Sequence, residues 1–313
     1  MEFARRSTRR AACSIAAVCA CSLTLVATAD PPAFESRELA ESIYLMRPAG
    51  GRSDLANSLL VVRHDGLLVV DAQATPEAAR ELLAAIAAVS RAPIRYLVLS
   101  HAHAEAAGGA SAFPESTLVI ASTRARDALG DPEWDFAAEL DGGMTGADAR
   151  KPVLVLQART ELDDPQNRIE IFPLGHAHTN TDLFVVVPRA NLIYAGAVLF
   201  DRQPYARDAD VGGWLAALNY LTKLRPAIVV PLHGEPTDVS GVRKARESLA
   251  WLRGRVELGF IDGIAPERIP DRVLADEEFD DYFGANVSSS VARGLIEQAV
   301  AEAIEQRRKR GIM

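Results

Sequence analysis

Short apolar runs of strand length alternate with segments of helical periodicity along most of this chain. Apolar and β-branched runs predict strands over residues 57–63, 67–70, 94–99, 117–121, 168–174, 183–187, 191–195 and 227–231. Helical patterns cover residues 75–90, 213–224, 239–253 and 290–308. Strands that alternate with helices in this way predict an α/β fold.

Turn and cap signals support two of these elements. His64-Asp65-Gly66 separates the first two runs and predicts a hairpin. Thr75-Pro76-Glu77 predicts a helix start, because it combines a capping hydroxyl, a first-turn proline and an acid that the helix dipole favours. Residues 131–166 are richer in Gly, Asp and Pro and show no sustained period, so they predict a loop-dominated insertion that could border a site.

Residues 1–29 have the three zones of a secretory signal peptide. Four arginines within residues 5–10 precede an uncharged stretch rich in Ala and Ser, which ends in the small residues Ala-Thr-Ala. The stretch is short, so we expect cleavage and export to the periplasm or the medium, with no stable membrane span afterwards. A weak lipid-attachment pattern around Cys19 and Cys21 leaves a lipoprotein as an alternative. We expect one main domain over residues 30–260 and a helical C-terminal extension over residues 261–313.

Composition limits the chemistry that the exported part can perform. All three cysteines lie within residues 1–29, so a disulfide or a cysteine metal ligand is excluded after cleavage. The chain carries a formal net charge of −8, and residues 1–29 contribute +3, which leaves −11 for the rest. This acidic balance argues against a nucleic-acid partner and leaves a small-molecule substrate, whose identity stays open.

Five of the six histidines lie in three clusters, each directly after a predicted strand: His101, His103, His176, His178 and His233. Strand ends of one sheet layer meet in space, where such folds build their sites. His101 and His103 are two residues apart in extended chain and project to the same side. With His178 they supply three imidazoles, a zinc ligand set that leaves a fourth position open for water. The other interpretation is that the histidines are structural and bind no metal.

The order of these clusters resembles the metallo-β-lactamase superfamily. The segments that carry the resemblance are Asp71 after an apolar run, His101-Ala-His103-Ala-Glu105-Ala-Ala-Gly-Gly, Gly175-His-Ala-His178-Thr179 with Asp182, and Pro231-Leu-His233-Gly234. The resemblance covers about residues 40 to 255. It implies an αββα sandwich, in which two mixed sheets are flanked by helices.

The same resemblance implies an asymmetric metal centre. It assigns a first zinc to His101, His103 and His178, and a second to the acid of the main motif, the next histidine and the late histidine, with a bridging Asp. Here these second-site positions are Glu105, Ala106, His233 and Ala197, so two of the four ligands are missing. We therefore expect one zinc ion. His176 is a candidate compensating donor, and Asp71 and Asp182 are candidate supporting residues.

Two functional hypotheses follow. In the first, the protein is a mono-zinc hydrolase of an ester, thioester, lactam or related bond. Glu105 then orients or deprotonates water, and His233 stabilises the oxyanion. In the second, it is a pseudoenzyme that binds metal or ligand without turnover. The apolar run at residues 197–200 lacks the basic or hydroxyl residue that lactam-cleaving members place there, which argues against a dedicated β-lactamase.

Overall fold

A computed structural model describes residues 32–131, 149–200 and 204–312. The signal peptide predicted for residues 1–29 lies outside these ranges. The strands are β1 (Phe34–Ala40), β2 (Ile43–Pro48), β3 (Ser58–Arg63), β4 (Gly66–Val70), β5 (Ile94–Val98), β6 (Leu118–Ser122), β7 (Leu154–Leu156), β8 (Thr160–Leu162), β9 (Ile169–Pro173), β10 (Leu183–Val187), β11 (Leu192–Gly196) and β12 (Ile228–Pro231). The helices are α1 (Pro76–Val89), α2 (Ala104–Ala107), α3 (Thr123–Gly130), α4 (Val211–Leu224), α5 (Val239–Ile261), α6 (Ile269–Leu274), α7 (Phe279–Phe283) and α8 (Ser289–Lys309).

In these described ranges the strands form two mixed sheets. A seven-stranded sheet runs in the order β1 to β7, and a five-stranded sheet in the order β12-β11-β10-β9-β8. The pairs β4–β5, β5–β6, β6–β7 and β11–β12 are parallel, and the other pairs are antiparallel. Parallel neighbours bring their carboxyl ends to the same edge, so this topology gathers the loops after β4, β5, β11 and β12.

Three hydrophobic clusters define the layers. One joins the seven-stranded sheet to α1, and a second lies between the two sheets with side chains from both. The third joins the five-stranded sheet to α4, α5 and α8 and contains the fully buried Trp214. Helix, sheet, sheet and helix thus follow one another, which confirms the predicted αββα sandwich.

Local sequence signals explain the elements that were predicted. The Thr75 hydroxyl accepts a hydrogen bond from the Ala78 amide at 3.2 Å, so Thr75 caps α1 as expected. The hairpin of β3 and β4 closes with Arg63 opposite Gly66. Gly66 adopts a positive φ of 137°, a conformation that favours glycine at this turn.

The structure differs from the sequence prediction in four places. Strands β1 and β2 had not been predicted. The region predicted as a loop-dominated insertion, residues 131–166, contains two short strands in its later part that were missed: β7 extends the first sheet beside β6 and β8 extends the second beside β9. Residues 132–148 lie outside the described ranges. Short helices α2 and α3 were also missed, and α5 continues to Ile261 rather than to residue 253.

The residues after α5 are mostly helical. Helices α6, α7 and α8 pack against α5, and their apolar side chains join the cluster of α4 and α5. The predicted start of the C-terminal extension falls at the end of α5, immediately before the turn at Gly263. In the part of the chain that the structure describes, no helix combines the length and apolar character needed to span a bilayer.

Candidate metal centre

Three histidine side chains meet at the edge where the parallel strands end. His101 and His103 lie between β5 and α2, and His178 lies in the loop between β9 and β10. All three are buried, and one ring nitrogen from each lies within 4.8 Å of the others. Their ring centroids are 5.0, 5.1 and 5.1 Å apart, and the ring planes are inclined by 74 to 84°. The three histidines thus bring one possible ligand atom each into a group compact enough to hold a metal ion.

A chain of hydrogen bonds fixes the orientation of His101. The buried Asp71 carboxylate accepts bonds from the Ser100 amide, the Ser100 hydroxyl and the Tyr194 hydroxyl, each at 2.7 Å. Since the single Ser100 hydroxyl hydrogen is donated to Asp71, the Ser100 Oγ accepts from His101 Nδ1 at 3.0 Å. This assigns the proton to Nδ1 and leaves the lone pair of His101 Nε2 directed towards the other histidines.

Burial has the largest effect on the pKa values of Asp71 and His101, the two ends of this series of hydrogen bonds. It raises the pKa of Asp71 to about 7, although the hydrogen bonds from Ser100 and Tyr194 limit the rise. Burial also lowers the pKa of His101 to about 4, against the opposing effect of Glu105. His101 is therefore neutral at physiological pH, which is the form of imidazole that binds a metal.

Asp208 orients the second histidine. Its Oδ2 lies 2.9 Å from His103 Nε2, and the hydrogen bond to His103 is the main reason why the pKa of Asp208 is lowered. A carboxylate only accepts, so Nε2 carries the hydrogen, and in the neutral imidazole Nδ1 is then the nitrogen that can bind a metal. The sequence interpretation missed Asp208, which lies 105 residues from His103 in the loop before α4.

Asp182 and Trp214 surround the third histidine. Asp182 Oδ1 lies 3.6 Å from His178 Nδ1, and the Thr179 amide and hydroxyl hold this carboxylate at 2.8 Å each. The Trp214 ring packs edge-on against His178 at 5.5 Å, while its indole N–H donates to the Val198 carbonyl. Asp182 was predicted as a supporting residue, and it lies beside the ligand that it would support.

Glu105 is a residue of α2 and lies next to the three histidines. Its Oε1 is 3.6 Å from His101 Nε2, and 19% of its side-chain surface is exposed. Burial opposes ionisation of Glu105, but its interaction with His101 and the neighbouring imidazoles outweighs this effect and lowers its pKa to about 2. The side chain is thus an anion that borders the site and still reaches solvent.

His233 lies on the exposed rim, after β12. Asn57 fixes this turn, because its side-chain amide donates to the carbonyls of Pro231 and Gly234 at 3.0 and 2.9 Å. His176 is also exposed, and its Nε2 donates to the Asp208 carbonyl at 2.6 Å. Among the described residues, the group whose ligand atoms converge comprises His101, His103 and His178, and neither His176 nor His233 is part of it.

Comparison with known proteins agrees with this geometry. The family model described as the metallo-beta-lactamase superfamily matches residues 51–233, which include every histidine of the site. The chain belongs to the metallo-β-lactamase superfamily. The resemblance noted in the sequence is thereby confirmed, and the protein is hydrolase-like with three histidines that could hold a metal.

Individual members of the superfamily are distant relatives. Metallo-beta-lactamases type 2 of Bacillus sp. (strain 170) and Bacillus cereus are each 25% identical over 194 residues, which cover 60% of this chain and 70% of the relative. The structure of a metallo-beta-lactamase from Pontibacter korlensis has 22% identity and a TM-score of 0.57. The match covers 69% of this chain and 99% of the Pontibacter chain. The stereoselective inverting sec-alkylsulfatase Pisa1 from Pseudomonas sp. has 16% identity and a TM-score of 0.66. The match covers 85% of this chain and 50% of the sulfatase chain. These two structures share the fold.

Two positions depart from the superfamily pattern in the way the sequence indicated. Ala106 is fully buried, and its carbonyl accepts from the Ala72 amide at 2.8 Å. Ala197 is half-buried and packs against the cluster between the sheets. A methyl side chain offers no ligand atom, so neither residue can bind a second ion.

The three histidines His101, His103 and His178 fit the binding of one metal ion. The buried Nε2 of His101 has no hydrogen-bond partner in the described residues, and an orphaned buried nitrogen is costly unless a ligand occupies it. Each histidine also has an oxygen atom beside its other ring nitrogen: Ser100 Oγ, Asp208 Oδ2 and Asp182 Oδ1. Such outer partners are typical of histidines that bind metal.

Proposed function

We propose that this protein is an exported hydrolase that binds one zinc ion and cleaves an ester, thioester, lactam or related bond of a small molecule. The convergence of three buried histidines, each oriented by a neighbouring oxygen, carries the proposal. His101, His103 and His178 would hold the ion, which would polarise a carbonyl or related oxygen of the substrate and lower the pKa of a bound water towards neutrality. Two missing second-site ligands favour a single ion over a pair.

The residues beside the histidines have separate tasks in this proposal. Glu105 accepts a hydrogen bond from the attacking water and orients it, since its anionic carboxylate borders the site and reaches solvent. His233 on the rim donates a hydrogen bond to the oxyanion that forms during attack. Asp71 and Asp208 hold His101 and His103 in the geometry that the reaction requires.

The segment after β11 argues against lactams that carry a carboxylate as the best substrates. Val198 and Leu199 are buried, and Phe200 packs against Trp214 with ring centroids 5.3 Å apart. These side chains form part of the core and offer no polar group to a substrate carboxylate. Neutral esters and thioesters are the expected substrates.

Metal analysis tests the zinc proposal. Purified protein, dialysed against zinc-free buffer, is expected to retain about one zinc per chain, because three imidazoles form a complete protein ligand set. His101→Ala should retain almost none. His64→Ala is the matched control, since His64 is exposed on the β3–β4 turn, and it should bind zinc like the wild type. A wild-type protein without zinc would refute the metal proposal, and two ions per chain would refute the single-site proposal.

A second candidate function is binding without turnover, and the alanines at positions 106 and 197 favour it. A panel of ester, thioester, lactam and phosphodiester substrates separates the two candidates. If the protein binds one zinc ion but its rates equal those of His101→Ala on every substrate, the pseudoenzyme hypothesis is correct. A zinc-dependent rate on any of them supports the hydrolase.

Export is supported by the pattern of residues 1–29 alone. Expression of the full chain in a Gram-negative host should place it in the periplasmic fraction. N-terminal sequencing is then expected to begin at Asp30. A chain that keeps residues 1–29 and stays in the cytoplasm would refute export, whereas a lipid-modified Cys19 or Cys21 would indicate the lipoprotein alternative.

A further inference from the structure

The C-terminal helix α8 holds the start of α4. Glu302 on α8 accepts hydrogen bonds from the Val211 amide at 2.5 Å and from the Gly212 amide at 3.2 Å. One turn earlier, Gln298 donates to the Ala209 carbonyl at 2.5 Å. First-turn amides of a helix have no partner inside the helix, so a carboxylate from another element is an effective anchor for them.

On its other side, the same segment contacts both loops that carry the metal-centre histidines. Asp208 accepts from His103 through its side chain and from His176 through its carbonyl, at 2.9 and 2.6 Å. The Asp210 amide donates to the Ala177 carbonyl at 2.9 Å. Segment 208–212 therefore lies between α8 and the histidine loops, and it bonds to both.

The contact between α4 and the His178 loop leaves no space for movement towards it. A Cβ atom added to Gly213 would lie 1.8 Å from the His176 carbonyl oxygen, so only glycine fits at this position of α4. Asp210 is the N-cap residue of α4, and its side chain accepts a hydrogen bond from the Gly213 amide at 2.5 Å. A shift of α4 after loss of its anchor would move Asp208, and with it the imidazole that Asp208 orients.

We propose that Glu302 and Gln298 of α8 are positioning residues for the metal centre, which act by fixing segment 208–212 and thus the Asp208–His103 hydrogen bond. This proposal rests on the zinc binding proposed above. Helix α8 lies beyond residues 51–233, to which the family model extends. The metal affinity of this chain thus depends on a segment outside the matched region.

The test measures the zinc dissociation constant by competition with a chromogenic chelator, together with Tm. Glu302→Ala is expected to weaken zinc binding about tenfold, the lower end of the range for loss of an outer-shell partner. The zinc affinity of Glu302→Gln should lie between those of the wild type and Glu302→Ala. Its single amide oxygen can replace only one of the two carboxylate oxygens that accept from the Val211 and Gly212 amides. Glu305→Ala is the matched control on the exposed face of α8, where Glu305 pairs with Lys309, and it should bind zinc like the wild type.

A double-mutant cycle separates positioning from general stability. Asp208→Ala removes the residue through which Glu302 is proposed to act, so adding Glu302→Ala should weaken zinc binding no further, even if Tm falls again. Additive effects on zinc affinity, or a lower Tm with unchanged affinity in Glu302→Ala, would overturn the proposal. If Glu302→Ala does not fold, Gln298→Ala and Glu302→Gln provide the same comparison. A wild-type chain that binds no zinc refutes both proposals, whereas normal zinc binding in all α8 variants refutes this one alone.

Discussion

Glu105→Gln is expected to lower kcat about 100-fold while the protein still binds about one zinc ion per chain, because the attacking water loses the carboxylate that orients it. The substitution keeps the shape of the side chain but replaces an anion by a neutral amide, which is a weaker hydrogen-bond acceptor. Glu105 lies 3.6 Å from His101 Nε2, beyond hydrogen-bond length, so its replacement leaves the orientation of His101 to Ser100. Steady-state kinetics on the best substrate of the panel, with metal analysis of the same samples, measures both quantities.

The control for this prediction is Glu115→Gln, because Glu115 is exposed between α2 and β6 and should not affect either value. An unchanged kcat in Glu105→Gln would show that this carboxylate does not orient the attacking water. Loss of zinc along with kcat would instead make Glu105 a metal ligand. The pair of measurements therefore distinguishes a carboxylate that orients water beside the ion from a ligand of the ion.

The elements that the sequence predicted are those in which local chemistry and tertiary packing agree. Strands β3, β4 and β10 are apolar runs between turn residues, and they are buried in the sandwich. Strand β1 was missed because it pairs only with β2 at the edge of its sheet and carries alternating charges rather than an apolar run. Strands β7 and β8 have three residues each, and their conformation comes from pairing with β6 and β9.

The missed end of α5 also has a tertiary cause. Gly254 and Gly259 lie in its last turns, and glycine lowers helix propensity by about 1 kcal/mol relative to alanine. At Gly259 an added Cβ would lie 3.0 Å from the Ile269 side chain, so the glycine allows α6 to pack closely. This packing, absent from any local pattern, supports the helix beyond residue 253.

The candidate metal centre also contains residues that the sequence could predict and residues that it could not. His101, His103 and His178 could be predicted because each follows a strand whose end the topology brings to one edge. Asp208 and Glu302 could not, because they follow no strand end and act through contacts with residues about 90 to 105 positions away. The histidine cluster, with Asp71 and Asp182, has a local sequence pattern, whereas Asp208 and Glu302 are placed only by the folded chain.

Asp71→Ala is expected to lower the free energy of unfolding by about 3 kcal/mol, because buried donors that lose their acceptor cost about 1–3 kcal/mol each. The Ser100 amide, the Ser100 hydroxyl and the Tyr194 hydroxyl all donate to this carboxylate, and the amide cannot turn to another acceptor. Zinc affinity should fall as well, since the freed Ser100 hydroxyl no longer holds the proton of His101 on Nδ1. Urea unfolding and chelator competition measure the two effects, and an unchanged zinc affinity would break the proposed link from Asp71 to His101.

Asp71→Asn separates the role of charge from the role of shape through its pH dependence. Burial raises the pKa of Asp71 to about 7, so between about pH 4 and 7 the folded protein holds a proton that the unfolded chain releases. The stability contributed by this group is complete below about pH 4 and is lost as the pH rises through 7. Asparagine has no such proton. In protein stripped of metal with a chelator, the stability of the wild type relative to Asp71→Asn should therefore be greatest near pH 5 and smallest near pH 8. A difference that stays constant across this range would show that Asp71 is already ionised at pH 5, held by its three hydrogen bonds.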